Sequence, residues 1–185
     1  DYVTCAVRTG GAGHGGISLL VIERGTPGFS VGRKLRKTGW WASDTAELHF
    51  VDCRVPVGNL IGEENMGFMS IMLNFASERL FLAGQWVAIA ELAYREAVKY
   101  ARDRKAFGKT LMGHQVLRHK LADMVTKIAA ARALVSECAV RVTRGEQVPG
   151  LAAMTKNVST DMCSYVVDQA VQIHGGNGYM REYLV

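Results

Sequence analysis

The first residue to consider for chemistry is a carboxylate set in an apolar run. Residues 67–104 read GFMSIMLNFASERLFLAGQWVAIAELAYREAVKYARDR. Residues 66–77 carry no charge, nor do residues 80–90, and Glu78 and Arg79 sit between the two runs. A helix that is apolar nearly all round is expected to be buried. A charge inside one is costly unless it is paired or used. The charged form of Glu78 is disfavoured in such a wall, the condition under which a carboxylate serves as a general base. The same residues suit a structural ion pair of Glu78 with Arg79 or another Arg closing a buried interface, and both readings stand.

Two further groups carry usable side chains. Arg104, Phe107 and Gln115 fall where the apolar period stops, in RKAFGK and the stretch after it. A guanidinium at a turn can grip phosphate bidentately, an aromatic can stack on a flat ring, and an amide can bond its edge. Taken by themselves, these residues are better explained as a helix hairpin closed by a buried Phe. The third group is Gln172, Ile173, His174, Gly175 and Gly176 at the end of another helical pattern. Glycines there permit close approach of a ligand and equally serve as a plain C-cap. The histidines, at 14, 49, 114, 119 and 174, form no i,i+4 pair and no H-E-x-x-H, so no metal site is expected. No G-x-S-x-G is present, which removes the hydrolase elbow.

These groups must be positioned by the elements around them. Residues 2–8, 17–24, 29–35 and 45–55 have strand patterns separated by turn signals, and they imply an antiparallel β unit. Gly11, Gly13 and Gly16 fit G-x-G-x-x-G. A strand pattern follows them where a dinucleotide-binding loop needs a helix, so they are assigned to a hairpin loop. A long helix is expected from about residue 66 to the RKAFGK turn, and a second from about residue 114. In the second, Leu117, Leu121, Met124, Ile128, Ala131, Val135, Cys138 and Val142 step by four and three, a bundle seam. A third is expected over 151–173, with Met154, Val158, Met162, Tyr165, Gln169 and Ile173 inward. Short connections make the three antiparallel neighbours. The predicted class is α+β: an antiparallel β portion over 1–60, then an up-down bundle over 61–185 with three helices of four. The chain opens in strand pattern without Met and closes without a stop signal, so it is read as an internal piece of a longer protein.

Composition narrows the partners. The chain has 185 residues, 49% hydrophobic and 21% charged, with net charge +5. That is ordinary for a soluble protein with a core. Arg33, Lys34, Arg36 and Lys37 are the one dense basic run, read first as a solvated hairpin edge and second as a site for phosphate-bearing ligands. Nothing interleaves aromatics with charge in the manner of nucleic-acid binding. Cys5, Cys53, Cys138 and Cys163 form no C-x-x-C and suggest a reducing compartment. Glu78, Arg79, Asn74 and Gln85 argue against a membrane span in the apolar run.

Several stretches together resemble the acyl-CoA dehydrogenase family. They are SDTAEL from Ser43, VDCRVPVGNLIGEENMGF from Val51, RKAFGK from Arg104, His114-Gln115, and QIHGGNGYMREY from Gln172, in family order and spacing. The resemblance implies a flavoprotein that removes hydrogens from the α and β carbons of an acyl-CoA thioester. It implies FAD as cofactor, electron-transfer flavoprotein as acceptor, a homodimer or homotetramer, and a cytoplasmic or mitochondrial-matrix location. It places FAD contacts on Arg104, Phe107 and Gln115, and contacts to a neighbouring subunit's FAD on Gln172, Ile173, His174, Gly175 and Gly176. Many members carry the base in a Tyr-Glu-Gly-Thr segment some way past the GGNG motif, beyond Val185, whereas long-chain and isovaleryl-CoA dehydrogenases carry it in a Glu-Arg-Leu run, matched here by Glu78-Arg79-Leu80, with Ser77 and Arg79 beside the substrate. Ala76 stands where a CoA-contacting Asp is common. The same fold also hosts acyl-CoA oxidases and flavin monooxygenases, and a flavin-free helical interaction module is the non-enzymatic alternative.

Overall fold

The computed structural model describes residues 1–185 and divides them into two compact units, Asp1–Leu73 and Asn74–Val185. The chain is α+β: antiparallel strands come first and three long helices follow.

In the first unit, β1 (Tyr2–Arg8) and β2 (Ile17–Glu23) pair antiparallel along their whole length, from Tyr2 opposite Glu23 to Arg8 opposite Ile17. The short β5 (Leu60–Ile61) adds to the free side of β2. β3 (Phe29–Lys34) and β4 (Ala46–Phe50) form a separate antiparallel pair whose register shifts between Val31 and Lys34. The stacked rings of Phe29 and Phe50, 5.0 Å apart, fasten its end. The four expected strands are therefore present but belong to two sheets. The last is shorter than its 45–55 pattern, because Asp52 turns the backbone at φ 49°.

The glycine-rich loop joins β1 to β2, with a strand after it, as the pattern requires. Its glycines serve closure of the loop. Arg8 Nη1 donates to the carbonyls of Gly11 (2.6 Å) and Gly13 (3.2 Å), and a Cβ on Gly16 would lie 2.1 Å from the Gly11 oxygen. The foot of the hairpin is tied to the start of the first helix. The buried Ser18 hydroxyl accepts from the Asn65 backbone N–H at 2.7 Å, and the Thr9 hydroxyl donates to Asn65 Oδ1 at 3.0 Å.

The helices are α1 (Gly67–Asp103), α2 (Gln115–Thr143) and α3 (Pro149–His174). Pro149 sits in the first turn of α3, where its missing N–H costs nothing. In the second unit one core gathers side chains from all three. α1 contributes a stripe of small residues at helical spacing: Ala83, Val87, Ala90, Ala93, Ala97 and Ala101. α2 buries Leu121, Met124, Ile128, Ala131 and Cys138 of the predicted seam, with Leu117 and Val135 half-buried, whereas Val142 near the helix end is exposed.

Two expectations need correction. The inward face of α3 is carried by Ala152, Thr155, Ser159, Met162, Cys163, Val166, Ala170 and Ile173, while Met154 and Val158 are exposed. Small side chains mark the face where helices approach closely, and the larger neighbours one position away point outward. Second, α1 is not buried all round. Steady burial begins at Ala83, and Met69, Leu73 and Phe81 are exposed, Phe81 at 75%. No helix is long and apolar enough to cross a membrane.

Candidate active site

Glu78 lies on the exposed half of α1, so it does not sit in an apolar wall of this chain. It is also not paired with Arg79. Adjacent positions on a helix diverge by about 100°, and i,i+4 positions meet. Asn74 Nδ2 donates to Glu78 Oε1 at 2.5 Å, while Arg79 lies over the Phe75 ring, 5.9 Å from its centroid. Glu78 Oε2 has no partner, and Ser77 is exposed beside it. Within this chain no Lys or Arg pairs with Glu78. What remains is a carboxylate with one oxygen oriented and the other available to accept a proton.

At the far end of α1, RKAFGK builds something the sequence pattern did not distinguish from a simple turn. Lys105–Ala106 (β6) and Lys109–Thr110 (β7) pair as a miniature hairpin. Its two central residues, Phe107 and Gly108, have φ of 52° and 81°, as a type I′ turn demands. Glycine occupies this region freely; a phenylalanine there is strained by about 1–3 kcal/mol. The ring is 96% exposed, which corrects the expectation of a buried Phe closing the hairpin. Strain and exposure at one residue together point to function. His114 backs the ring edge-on at 6.3 Å, and its Nε2 donates to the Ala106 carbonyl at 3.1 Å. Arg104 is exposed, carries no salt bridge, and follows the last turn of α1. Gln115, also exposed, opens α2.

The segment ending α3 is divided. Gln172, Gly175 and Gly176 are exposed, whereas Ile173 and His174 are buried at 5% each. His174 Nδ1 donates to the Ala170 carbonyl at 2.8 Å, and the imidazole stacks on Tyr100. The exposed part of this segment is therefore Gln172, Gly175 and Gly176. Gly175 has φ 59°, and open space lies where Cβ atoms on Gly175 and Gly176 would be.

Arg104 and His174 come together on one cleft of about 490 Å³ whose lining carries both signs of charge, Lys99 and Arg104 with Glu96, Asp103 and Glu182, beside Tyr100 and Asn177. Glu78 stands apart from them. It precedes Arg104 by enough residues to separate them by roughly 39 Å at helical rise. The candidate residues thus fall into two groups, one at each end of α1. Asn74, Tyr100 and Asn177 were not singled out from sequence. The available signals were spacing alone: Asn74 lies four residues before Glu78, and Tyr100 four before Arg104.

The family model described as acyl-CoA dehydrogenase, C-terminal domain, matches residues 65–185, and the chain belongs to the acyl-CoA dehydrogenase family. The structure of a probable acyl-CoA dehydrogenase from Mycobacterium abscessus superposes with a TM-score of 0.97 at 51% identity, covering all of this chain and 49% of that one. Butyryl-CoA dehydrogenase from Megasphaera elsdenii gives 0.93 at 41% identity, over 99% of this chain and 48% of that one. The long-chain specific mitochondrial acyl-CoA dehydrogenase of Mus musculus is 43% identical over 168 residues, 91% of this chain and 39% of its own length. The chain spans about half the length, or less, of the relatives it matches.

Proposed function

We propose that this chain provides the base and part of the cofactor site of an enzyme that dehydrogenates an acyl-CoA thioester between its α and β carbons. The observation that carries this reading is Glu78 itself. In a chain of this family, within a Glu-Arg-Leu run, its carboxylate is unpaired by any cation, and its free Oε2 stands beside an oxygen fixed by Asn74.

The residues of the other group fit FAD. An outward phenylalanine offers a face for a flat ring, an unpaired guanidinium offers a grip for pyrophosphate, and open Gly175 and Gly176 permit close backbone approach. Arg104, Phe107 and Gln115 would hold one FAD. Gln172, Gly175, Gly176 and the backbone of Ile173 and His174 would contact that of a neighbouring subunit. Bound FAD supplies the acceptor for the β hydride and the link to an electron-transfer flavoprotein.

The chain's own task is the proton. A thioester α proton is weakly acidic, so its base must be close and oriented. Glu78 Oε2 takes that proton, Asn74 keeps the carboxylate from swinging, and Ser77 and Arg79 border the acyl-CoA. The exposed apolar face at Met69, Leu73 and Phe81 suits burial against further protein of a homodimer or homotetramer, which would exclude water from the reacting carbons. In the same reading, residues 1–60 form part of a β-barrel and residues 61–185 belong to a four-helix bundle.

The test is Glu78→Gln in the full-length protein. It should retain flavin and bind acyl-CoA, and the rate of flavin bleaching by acyl-CoA should fall at least about 100-fold, the usual worth of a general base. Bleaching at near the wild-type rate would place the base elsewhere.

A further inference from the structure

One polar contact joins the end of α1 to the turn after α3. Asn177 Nδ2 donates to Tyr100 Oη at 2.9 Å. Around it three rings are assembled. Tyr100 stacks on His174 with centroids 4.3 Å apart and planes at 27°, and Tyr183 meets Tyr100 edge-on at 6.0 Å and His174 at 5.6 Å. Aromatic pairs in these geometries attract beyond their burial. The turn itself is pressed onto α3: a Cβ on Gly178 would lie 2.6 Å from the Val171 carbonyl oxygen.

What gives this cluster a meaning beyond packing is where its two sides lead. On one side, the Arg104 N–H donates to the Tyr100 carbonyl at 2.9 Å, so Arg104 leaves the helix directly from Tyr100. The Arg104 carbonyl in turn accepts from Leu111, which fixes the base of the hairpin that carries Phe107. On the other side, His174 is the residue from which Gly175 and Gly176 depart. The hydrogen bond spans 77 positions of sequence, yet both of its ends abut segments assigned above to cofactor binding.

We propose that Tyr100 and Asn177 form a latch that sets the spacing between Arg104, which would hold one FAD, and the Gly175–Gly176 turn, which would meet the FAD of a neighbouring subunit, and that Tyr100 is thereby a positioning residue for the two FAD sites that the chain helps to build. The inference rests on the FAD reading above. Tyr100 does not touch the reacting atoms. It tunes how well the two cofactor-binding segments are held before FAD arrives, and preorganisation of that kind appears in affinity.

Tyr100→Phe keeps the ring stack and removes only the hydroxyl; Asn177→Ala removes the donor. Both are made singly and together in the full-length protein, and FAD affinity is measured by titrating the apoprotein with FAD and following flavin fluorescence. Each single variant should weaken FAD binding about five- to tenfold, the worth of one hydrogen bond. The double variant should be no worse than either single one, since both remove the same bond. Thermal unfolding of the apoproteins should differ from wild type by no more than a few degrees, and turnover at saturating FAD and acyl-CoA should match wild type. Wild-type FAD affinity in both single variants would overturn the latch while leaving the FAD reading intact. Multiplying losses in the double variant would overturn it too, as would loss of turnover at saturation. A wild-type protein that takes up no FAD would overturn both.

Discussion

Asn74 and Glu78 stand one helical turn apart on α1, and the amide of the first holds one oxygen of the second at 2.5 Å. The neighbour in sequence, Arg79, turns to the Phe75 ring and leaves that carboxylate alone. Helix geometry explains both facts, because i,i+4 positions share a face and i,i+1 positions do not. In the proposed function, the neutral amide orients the Glu78 carboxylate and leaves its second oxygen unpartnered.

Asn74→Ala should therefore cost rate without costing substrate binding. In the full-length protein, acyl-CoA-driven flavin bleaching is expected to slow about tenfold, as orientation of the base is lost. The acyl-CoA dissociation constant should stay within about twofold, since the reading gives Asn74 no substrate contact. Loss of affinity at an unchanged bleaching rate would assign Asn74 to the substrate instead.

Phe107 makes a second prediction because its two costs can be separated from its use. Its backbone is strained at φ 52°, and its ring lies in solvent. Asparagine is at home in the first position of a type I′ turn. Phe107→Asn should raise apoprotein stability by about 1 kcal/mol, the lower end of the strain of such a residue. FAD binding should fall about tenfold or more, given the usual worth of aromatic stacking against a base. Thermal unfolding of the apoprotein and FAD titration read the two effects independently. Unchanged FAD affinity would show that the ring serves some other contact.

The core gives a third. Met124 on α2 is wholly buried among side chains of the three helices, whereas Val125 next to it faces outward. Met124→Ala should destabilise by about 2–5 kcal/mol through lost burial and a residual cavity. Val125→Ala should stay within about 0.5 kcal/mol. Urea unfolding of the two variants checks the contrast, and equal losses would mean that the seam is misplaced.

How far these features can be read from sequence varies along the chain for physical reasons. The α2 seam is legible because large apolar residues recur at a bundle period, and Leu121, Met124 and Ile128 are buried as expected. On α3 the same logic selects Met154 and Val158, which are exposed, because the packed face is made of Ala152, Thr155 and Ser159. Hydropathy ranks side chains by their aversion to water, but close-packed helices select for small volume. On α1 the run around Glu78 is apolar without being covered by this chain, since apolarity records that a surface is to be buried and not what will bury it. The β6–β7 hairpin is only two residues a side, too short for a periodic pattern. Asn74 and Tyr100 act through partners, and a single residue carries no trace of its partner. Arg104, Phe107 and the glycines at 175 and 176 stand out by type, and the structure adds that Phe107 is turned outward.

The last prediction concerns Cys163, which lies at 5% exposure on the inward face of α3, beside Trp86 and Ile89 in a shallow apolar groove. Burial raises its thiol above the ordinary 9.0, because the thiolate is poorly solvated there. The folded protein then keeps a proton that the unfolded chain gives up as pH passes about 9. Below that value the contribution to stability is complete, and it is lost as pH climbs toward the folded value. The slope is at most about 1.4 kcal/mol per pH unit, one proton's worth. Cys163→Ala should leave stability flatter between pH 8 and 10 than in wild type, whatever constant offset the lost sulfur introduces. Urea midpoints taken across that range decide the matter: parallel curves for the two proteins would mean that the thiol ionises in the folded state as freely as in the unfolded one.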